Sequence, residues 1–121
     1  MGRLADVRIM VVEDEVLIAL DLVDMLQSEG AAIVAETDSV DEALKILSDS
    51  MTIDCVLLDF NLKGESAAPV ARHLMSAGTP FLILTAYDAS LLPDEFRACE
   101  IVQKPCDHAR LIKSISRLVV R

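Results

Sequence analysis

Five short apolar runs, Val7–Val12, Ala32–Ala35, Cys55–Leu58, Phe81–Leu84 and Ile101–Val102, recur along the chain, and a helical pattern follows each of them. This rhythm restricts the fold more than any other feature. Most of the runs are continuous rather than alternating, which suits strands covered on both faces. Five βα units of this length predict a parallel sheet with right-handed crossovers and helices on both sides.

The intervening segments support that reading. In Glu15–Glu29, the side chains of Val16, Ala19, Leu20, Val23 and Leu26 form one apolar face, with Asp21, Asp24 and Ser28 on another. Val40, Ala43, Leu44 and Leu47 follow helical spacing, and Ser39 with Glu42 reads as a capping box ahead of them. Pro69 opens a third helix, where its missing N–H costs nothing. The fourth segment, Ala89–Ala98, is weak because Pro93 interrupts it. The last runs from an Asp107 cap to about Val120, with Leu111, Ile112, Ile115, Leu118 and Val119 on its apolar face. The expected architecture is a doubly wound α/β fold of flavodoxin-like (βα)5 type, with strand order 2-1-3-4-5.

The 121 residues fit a single domain spanning 1–121, with no linker, internal repeat or low-complexity tract. The longest apolar runs are five residues, such as Val16–Leu20, far short of the roughly 18 that a membrane span needs. The N-terminus lacks the apolar core of a signal peptide. The net charge of -9 argues against a nucleic-acid partner, which rewards clustered Lys and Arg. The acid is concentrated early: residues 1–60 hold 14 acidic and 3 basic side chains. Cys55, Cys99 and Cys106 form no CxxC pair and are odd in number, which fits a reducing, cytoplasmic setting without a disulfide framework or zinc site.

In a doubly wound sheet, ligands bind beyond the carboxyl ends of the strands. The polar residues there are Glu13-Asp14-Glu15, Asp59 with Asn61 close behind, Thr85 and Lys104. Strands one and three are expected neighbours, so Glu13, Asp14 and Asp59 should converge. Three carboxylates in one pocket repel, and a divalent cation with hard oxygen ligands relieves that repulsion; Mg2+ suits such a site. Lys104 adds an ammonium and Thr85 a hydroxyl. Around one carboxylate these groups can offset charge on all three equatorial oxygens of a transferred phosphoryl group. Asp59 would be the nucleophile.

The stretches Val11-Val12-Glu13-Asp14-Glu15, Leu57-Leu58-Asp59-Phe60-Asn61-Leu62, Leu84-Thr85-Ala86 and Lys104-Pro105 together resemble the receiver domain of two-component response regulators, the CheY-like family. The resemblance covers nearly the whole chain. It implies that Asp59 accepts a phosphoryl group from a sensor histidine kinase or a histidine phosphotransfer protein. It further implies that Asp14, Asp59 and the backbone carbonyl of Asn61 bind Mg2+, with Glu13 acting through a metal-bound water. Thr85 and Lys104 would contact the phosphoryl oxygens and report its arrival to a downstream protein partner.

The family usually carries Tyr or Phe three residues before the strand-five lysine, and here that position is Ile101. A subgroup from alphaproteobacteria, with Phe-Ala-Thr-Gly-(hydrophobic)-Tyr after strand four (the FAT GUY pattern), is similar to Pro80–Tyr87. Tyr87 is then the candidate substitute aromatic, and Thr85, Tyr87 and Ile101 are the switch residues. With the last helix reaching the C-terminus, the expectation is a single-domain receiver without an output module, acting as a switch, a phosphate shuttle or a phosphate sink. The alternatives are an aspartyl-nucleophile phosphatase with external substrates, which would want an acid where Asn61 stands, and a degenerate receiver that works without phosphorylation. His73 and His108 read as solvated helix residues, Cys55 as core and Cys106 as an inert thiol near the pocket. Arg110, Lys113, Arg117 and Arg121 form a basic stripe on the last helix, read equally as a solvated face or a docking face. The first helix, with Asp21 and Asp24, is where the resemblance puts the kinase.

Overall fold

The computed structural model describes residues 2–119. Strands β1 (Arg8–Val12), β2 (Ala32–Thr37), β3 (Cys55–Asp59), β4 (Phe81–Thr85) and β5 (Glu100–Gln103) form one parallel sheet in the order β2-β1-β3-β4-β5. Helices α1 (Val16–Ser28), α2 (Val40–Ser48), α3 (Ala68–Ala77) and α4 (His108–Leu118) cover its two faces. This is the expected doubly wound, flavodoxin-like fold.

The continuous apolar runs are explained by the pleat, because successive side chains point to opposite faces. Met10, Val12, Val56, Leu58, Phe81 and Ile83 enter the core under α2 and α3. Their neighbours Ile9, Val11, Cys55, Leu57, Leu82 and Leu84 enter the core under α1 and α4. Each strand therefore feeds two cores, and a polar residue anywhere within β3 or β4, or in β1 after the exposed Arg8, would be buried.

Three local signals hold. Ser39 Oγ accepts a hydrogen bond from the Glu42 N–H at 3.2 Å, the cap half of the expected box, while the Ser39 N–H goes to Thr37 Oγ1 at 3.3 Å instead of the Glu42 side chain. Pro69 lies in the first turn of α3, which ends at Gly78 in the left-handed region (φ 71°). On α4, Leu111, Ile112 and Ile115 are buried, and Leu118 and Val119 pack against them; Val120 lies outside the described residues.

Three expectations are corrected. The fourth helix of a (βα)5 array does not form: residues 89–98 hold two 3-10 turns, Ala89–Leu91 and Asp94–Phe96, separated by Pro93. Asp107 stands at the N-cap of α4, but its side chain accepts no capping hydrogen bond. The buried face of α1 is only partly the one the spacing favoured: Leu26 is buried and Val23 packs against the core as expected, but the first turns are rotated. Leu22, Met25 and Leu26 are buried and Ile18 packs beside them, while Val16 and Leu20 stay exposed. The first turns of α1 are apolar almost all round, so the periodicity offers two stripes and the packing selects one. No helix among the described residues is long and apolar enough to cross a membrane.

Candidate functional site

The site is built from the ends of β1, β3, β4 and β5. At several strand ends a side chain closes the turn that follows it. Glu13 Oε2 accepts the Glu15 N–H at 3.1 Å, Asp59 Oδ1 the Asn61 N–H at 3.2 Å, and Thr85 Oγ1 the Tyr87 N–H at 3.1 Å. Short polar side chains favour such i to i+2 turns, which end the strand and fix the side chain's direction together. β5 contributes differently: the Lys104 N–H bonds the Thr85 carbonyl at 2.7 Å, which ties the lysine to the end of β4.

Glu13, Asp14 and Asp59 converge as expected. Their carboxylate oxygens lie within 4.8 Å of one another. Glu13 and Asp59 are buried, and Lys104 Nζ bridges them at 2.9 Å from Glu13 Oε1 and 3.1 Å from Asp59 Oδ2. Glu13 Oε1 is buried, and the Lys104 ammonium is its only charge partner among the described residues.

The electrostatics follow. Burial, followed by the neighbouring Glu13, pushes Asp59 up to about 7 despite Lys104. Burial by itself would lower Lys104, but the carboxylates of Glu13 and Asp59 outweigh it and hold the ammonium above its ordinary value. Burial would raise Asp14, yet the hydrogen bond from the Lys63 N–H to Asp14 Oδ2, at 2.9 Å, and smaller contacts with its neighbours bring it below the usual carboxylate value. One lysine thus serves two buried carboxylates, with a third alongside. That charge deficit, with oxygens of all three carboxylates within 4.8 Å of one another, fits a hard divalent cation.

A cavity of about 230 Å³ opens onto this cluster, and Asp14, Asp59, Asn61, Ala86, Tyr87 and Lys104 are among its lining residues. Thr85, buried at the end of β4, is not among the lining residues but directly precedes two of them, Ala86 and Tyr87, and Tyr87 is 57% exposed at the rim. Ile101, the third expected switch residue, is set apart: it packs into the core under α2 and α3.

Several residues escaped the sequence reading. Lys63 closes a hairpin of Asn61–Leu62 with Glu65–Ser66, its φ of 52° and that of Gly64 (81°) giving the left-handed pair such a turn requires. Its N–H holds Asp14 and its ammonium pairs with Asp38 at 3.0 Å. The Lys-Gly dipeptide was the available signal. Phe60, next to Asp59, meets the buried Phe96 edge-on with ring centres 5.5 Å apart, and Arg72 lies over Phe96 while pairing with Glu95 at 2.6 Å. His108 is not merely solvated: its Nε2 lies 2.8 Å from Asp21 Oδ2, joining α4 to α1. In the basic stripe, Arg117 is paired with Glu100 at 2.6 Å, and Arg121 lies outside the described residues.

Comparison with known proteins gives a consistent result. The sequence model of the response regulator receiver domain matches residues 9–116. The transcriptional regulatory protein PdtaR of Mycobacterium tuberculosis is 31% identical over 118 residues, covering 94% of this chain and 57% of that protein. The phyllosphere-induced regulator PhyR of Methylorubrum extorquens is 30% identical, covering 90% of this chain and 42% of its own length. The chain thus spans about half the length of these curated relatives. The solution structure of SdrG from Sphingomonas melonis Fr1 superposes with a TM-score of 0.82 at 34% identity, covering 99% of this chain and 100% of that one. The likeness to PhyR and SdrG accords with the subgroup that Pro80–Tyr87 resembles.

Proposed function

Because this chain belongs to the response regulator receiver domain family, we propose that Asp59 is its phosphoacceptor and that residues 1–121 work as one receiver unit. The observation that carries this reading is the position of Asp59, buried at the end of a central strand, bridged to Glu13 by Lys104 and open to a cavity on one side. The donor is a phosphohistidine on a sensor histidine kinase or a histidine phosphotransfer protein.

In this reading a carboxylate oxygen of Asp59 attacks phosphorus, the P–N bond to the donor imidazole breaks, and an acyl phosphate forms. The Asn61 N–H orients the carboxylate beforehand. Lys104 is already seated where the new dianion will need a cation. The Thr85 hydroxyl accepts from Tyr87 and keeps its proton, which it can donate to a phosphoryl oxygen. Asp14, Asp59 and the Asn61 carbonyl, with Glu13 through a water, would hold Mg2+, which when bound neutralises carboxylate charge and offsets charge on the transferred group.

The phosphorylated domain then controls a downstream protein, or passes its phosphate on as a shuttle or sink. A phosphatase acting on external substrates is the weaker reading, since Asn61 cannot donate an acidic proton. A degenerate receiver is weaker still, because Asp59, Thr85 and Lys104 are all in place.

The test is stoichiometric. With acetyl phosphate and Mg2+ the protein should gain one phosphoryl group by intact mass, none in EDTA, and should not turn over a phosphomonoester beyond one equivalent. Sustained turnover would favour the phosphatase, and an unmodified mass the degenerate receiver.

A further inference from the structure

Lys63 and Asp38 form an ion pair at 3.0 Å along the carboxyl edge of the sheet. Lys63 stands in the hairpin that follows β3, and Asp38 directly follows β2. In the order β2-β1-β3 the strand between them is β1, and Asp14 lies just beyond its end. The ion pair therefore spans the strand end from which Asp14 reaches the site. The backbone N–H of the same Lys63 gives Asp14 Oδ2 a hydrogen bond at 2.9 Å. Asp14 pairs with no cation among the described residues. The Lys63 N–H is thus its link to the far side of the site.

The turn that supplies this N–H has little else to hold it. Leu62 is buried, but Lys63, Gly64, Glu65 and Ser66 are exposed, and a Cβ added at Gly64 would meet nothing within 4 Å. Lys63 also has a φ of 52°, where Asn, Asp or Gly is the usual choice for the first residue of a two-residue hairpin turn. A lysine there works against local preference. What it adds over those residues is an ammonium long enough to reach Asp38.

A ligating carboxylate that already accepts a hydrogen bond is oriented before the cation arrives. Loss of such an outer partner typically costs about 10–100-fold in metal affinity. We propose that Lys63 is a positioning residue for the Mg2+ site: its N–H orients Asp14, and its ion pair with Asp38 keeps the turn carrying that N–H in place. The inference rests on the reading of Asp14 as a Mg2+ ligand and names what holds that ligand.

Positioning and simple charge predict different signs. Both side chains of the pair are more than half exposed, at 58% and 54%. Breaking the brace should therefore weaken Mg2+ binding by only about two- to fivefold, the worth of an exposed ion pair. It should do so whichever partner is removed. A field acting through space would behave otherwise. Removing the Lys63 ammonium would then strengthen cation binding, removing the Asp38 carboxylate would weaken it, and removing both would cancel.

The test is the Mg2+ affinity of the full chain by isothermal titration calorimetry, with no phosphoryl donor present. Lys63→Met and Asp38→Asn should each bind Mg2+ about two- to fivefold more weakly, and the double variant no more weakly than either, because the pair is one brace. Lys63→Arg, which can still pair with Asp38, should bind as the wild type does. An ester in place of the Leu62–Lys63 amide, introduced by semisynthesis, removes the N–H and keeps the side chain; it should cost about tenfold or more. Metal-free urea midpoints of the side-chain variants should stay near the wild type, which separates positioning from a general loss of stability. Lys63→Met binding Mg2+ as tightly as the wild type or more tightly, losses that add in the double variant, or an ester analogue with unchanged affinity would each overturn the proposal. Asp14→Asn distinguishes the two levels. If it leaves Mg2+ affinity unchanged, the reading of Asp14 as a ligand falls and the proposal with it. If it weakens Mg2+ binding while the Lys63 and Asp38 variants do not, the positioning role alone is wrong.

Discussion

Lys104 Nζ lies 3.1 Å from Asp59 Oδ2, and the same ammonium lies 2.9 Å from Glu13. The lysine is nearly buried and is the only cation in contact with the two carboxylates among the described residues. Removing one partner of a buried ion cluster leaves charge uncompensated, at a cost of about 3–5 kcal/mol. Lys104→Met should therefore destabilise the metal-free protein by an amount of that order in urea unfolding at pH 8, and by less at pH 5, where Asp59 can take up a proton. A loss independent of pH would mean that the lysine matters for its packing rather than its charge.

The raised Asp59 makes a second prediction about pH. Its value rises from the ordinary 3.8 to about 7 because burial, then Glu13, disfavour the anion. The folded chain holds that proton more tightly than the unfolded one. The resulting stability is complete below about pH 4 and is lost as pH climbs through about 7. Metal-free wild type should thus lose stability across that window. Asp59→Asn, which cannot titrate, should lose less, and parallel curves for the two proteins would show that another group sets the slope.

Added Mg2+ should reverse the penalty. One site at a hundred times its dissociation constant stabilises a fold by about 2.7 kcal/mol. Thermal unfolding should show a rise in Tm on adding Mg2+, and Asp14→Asn should remove most of it. An undiminished rise in that variant would take Asp14 out of the ligand set.

Much of this was legible in the sequence because the strands carry two signals at once. Met10-Val11-Val12 and Cys55-Val56-Leu57-Leu58 are apolar at every position, which only a doubly covered strand allows. The abrupt change to Glu13-Asp14 and Asp59 then marks both the strand end and the site. The rotation of α1 was not legible, since Val16-Leu17-Ile18-Ala19-Leu20 is apolar in every direction and only contact with the sheet distinguishes Ile18 from Leu20. Nor were the Lys63 contact with Asp14 or the Asp21–His108 pair, which join residues 49 and 87 positions apart through tertiary geometry alone. The weak fourth segment was visible through Pro93, but Phe96 as its anchor was not.

That segment is the place to look for the conformational response. Thr85 holds the Tyr87 N–H, Tyr87 stands exposed at the rim of the cavity, and two 3-10 turns replace a helix just beyond it. A bound phosphoryl group moves an equilibrium only through contacts that differ between the two states. Thr85 precedes the cavity-lining Ala86 and Tyr87 and holds the Tyr87 N–H, so a change at its hydroxyl reaches this segment through Tyr87. Beryllofluoride with Mg2+ should change Tyr87 fluorescence or its quenching by iodide, an uncluttered signal because the chain has one tyrosine and no tryptophan. Unchanged emission and unchanged amide shifts over residues 85–96 with the ligand saturated would place the switch elsewhere.

Phe96 should hold the same segment to the core. It is fully buried against Phe60, and truncating a buried phenylalanine costs about 3–5 kcal/mol. Phe96→Ala should lower stability by that order and speed hydrogen exchange in residues 89–99 beyond the rest of the chain. A uniform change across all elements would show that Phe96 supports the whole core and not this segment in particular.

The central claim is that Asp59 carries the phosphoryl group, and its chemistry offers a direct reading. An acyl phosphate is reduced by borohydride, whereas a phosphoester is not. After treatment with acetyl phosphate and Mg2+, borohydride reduction and peptide mapping should find the reduced residue at position 59 alone, and Asp59→Asn should yield no reduced peptide. Reduction at Asp14 or Glu13, or phosphoryl uptake by Asp59→Asn equal to that of the wild type, would contradict the assignment.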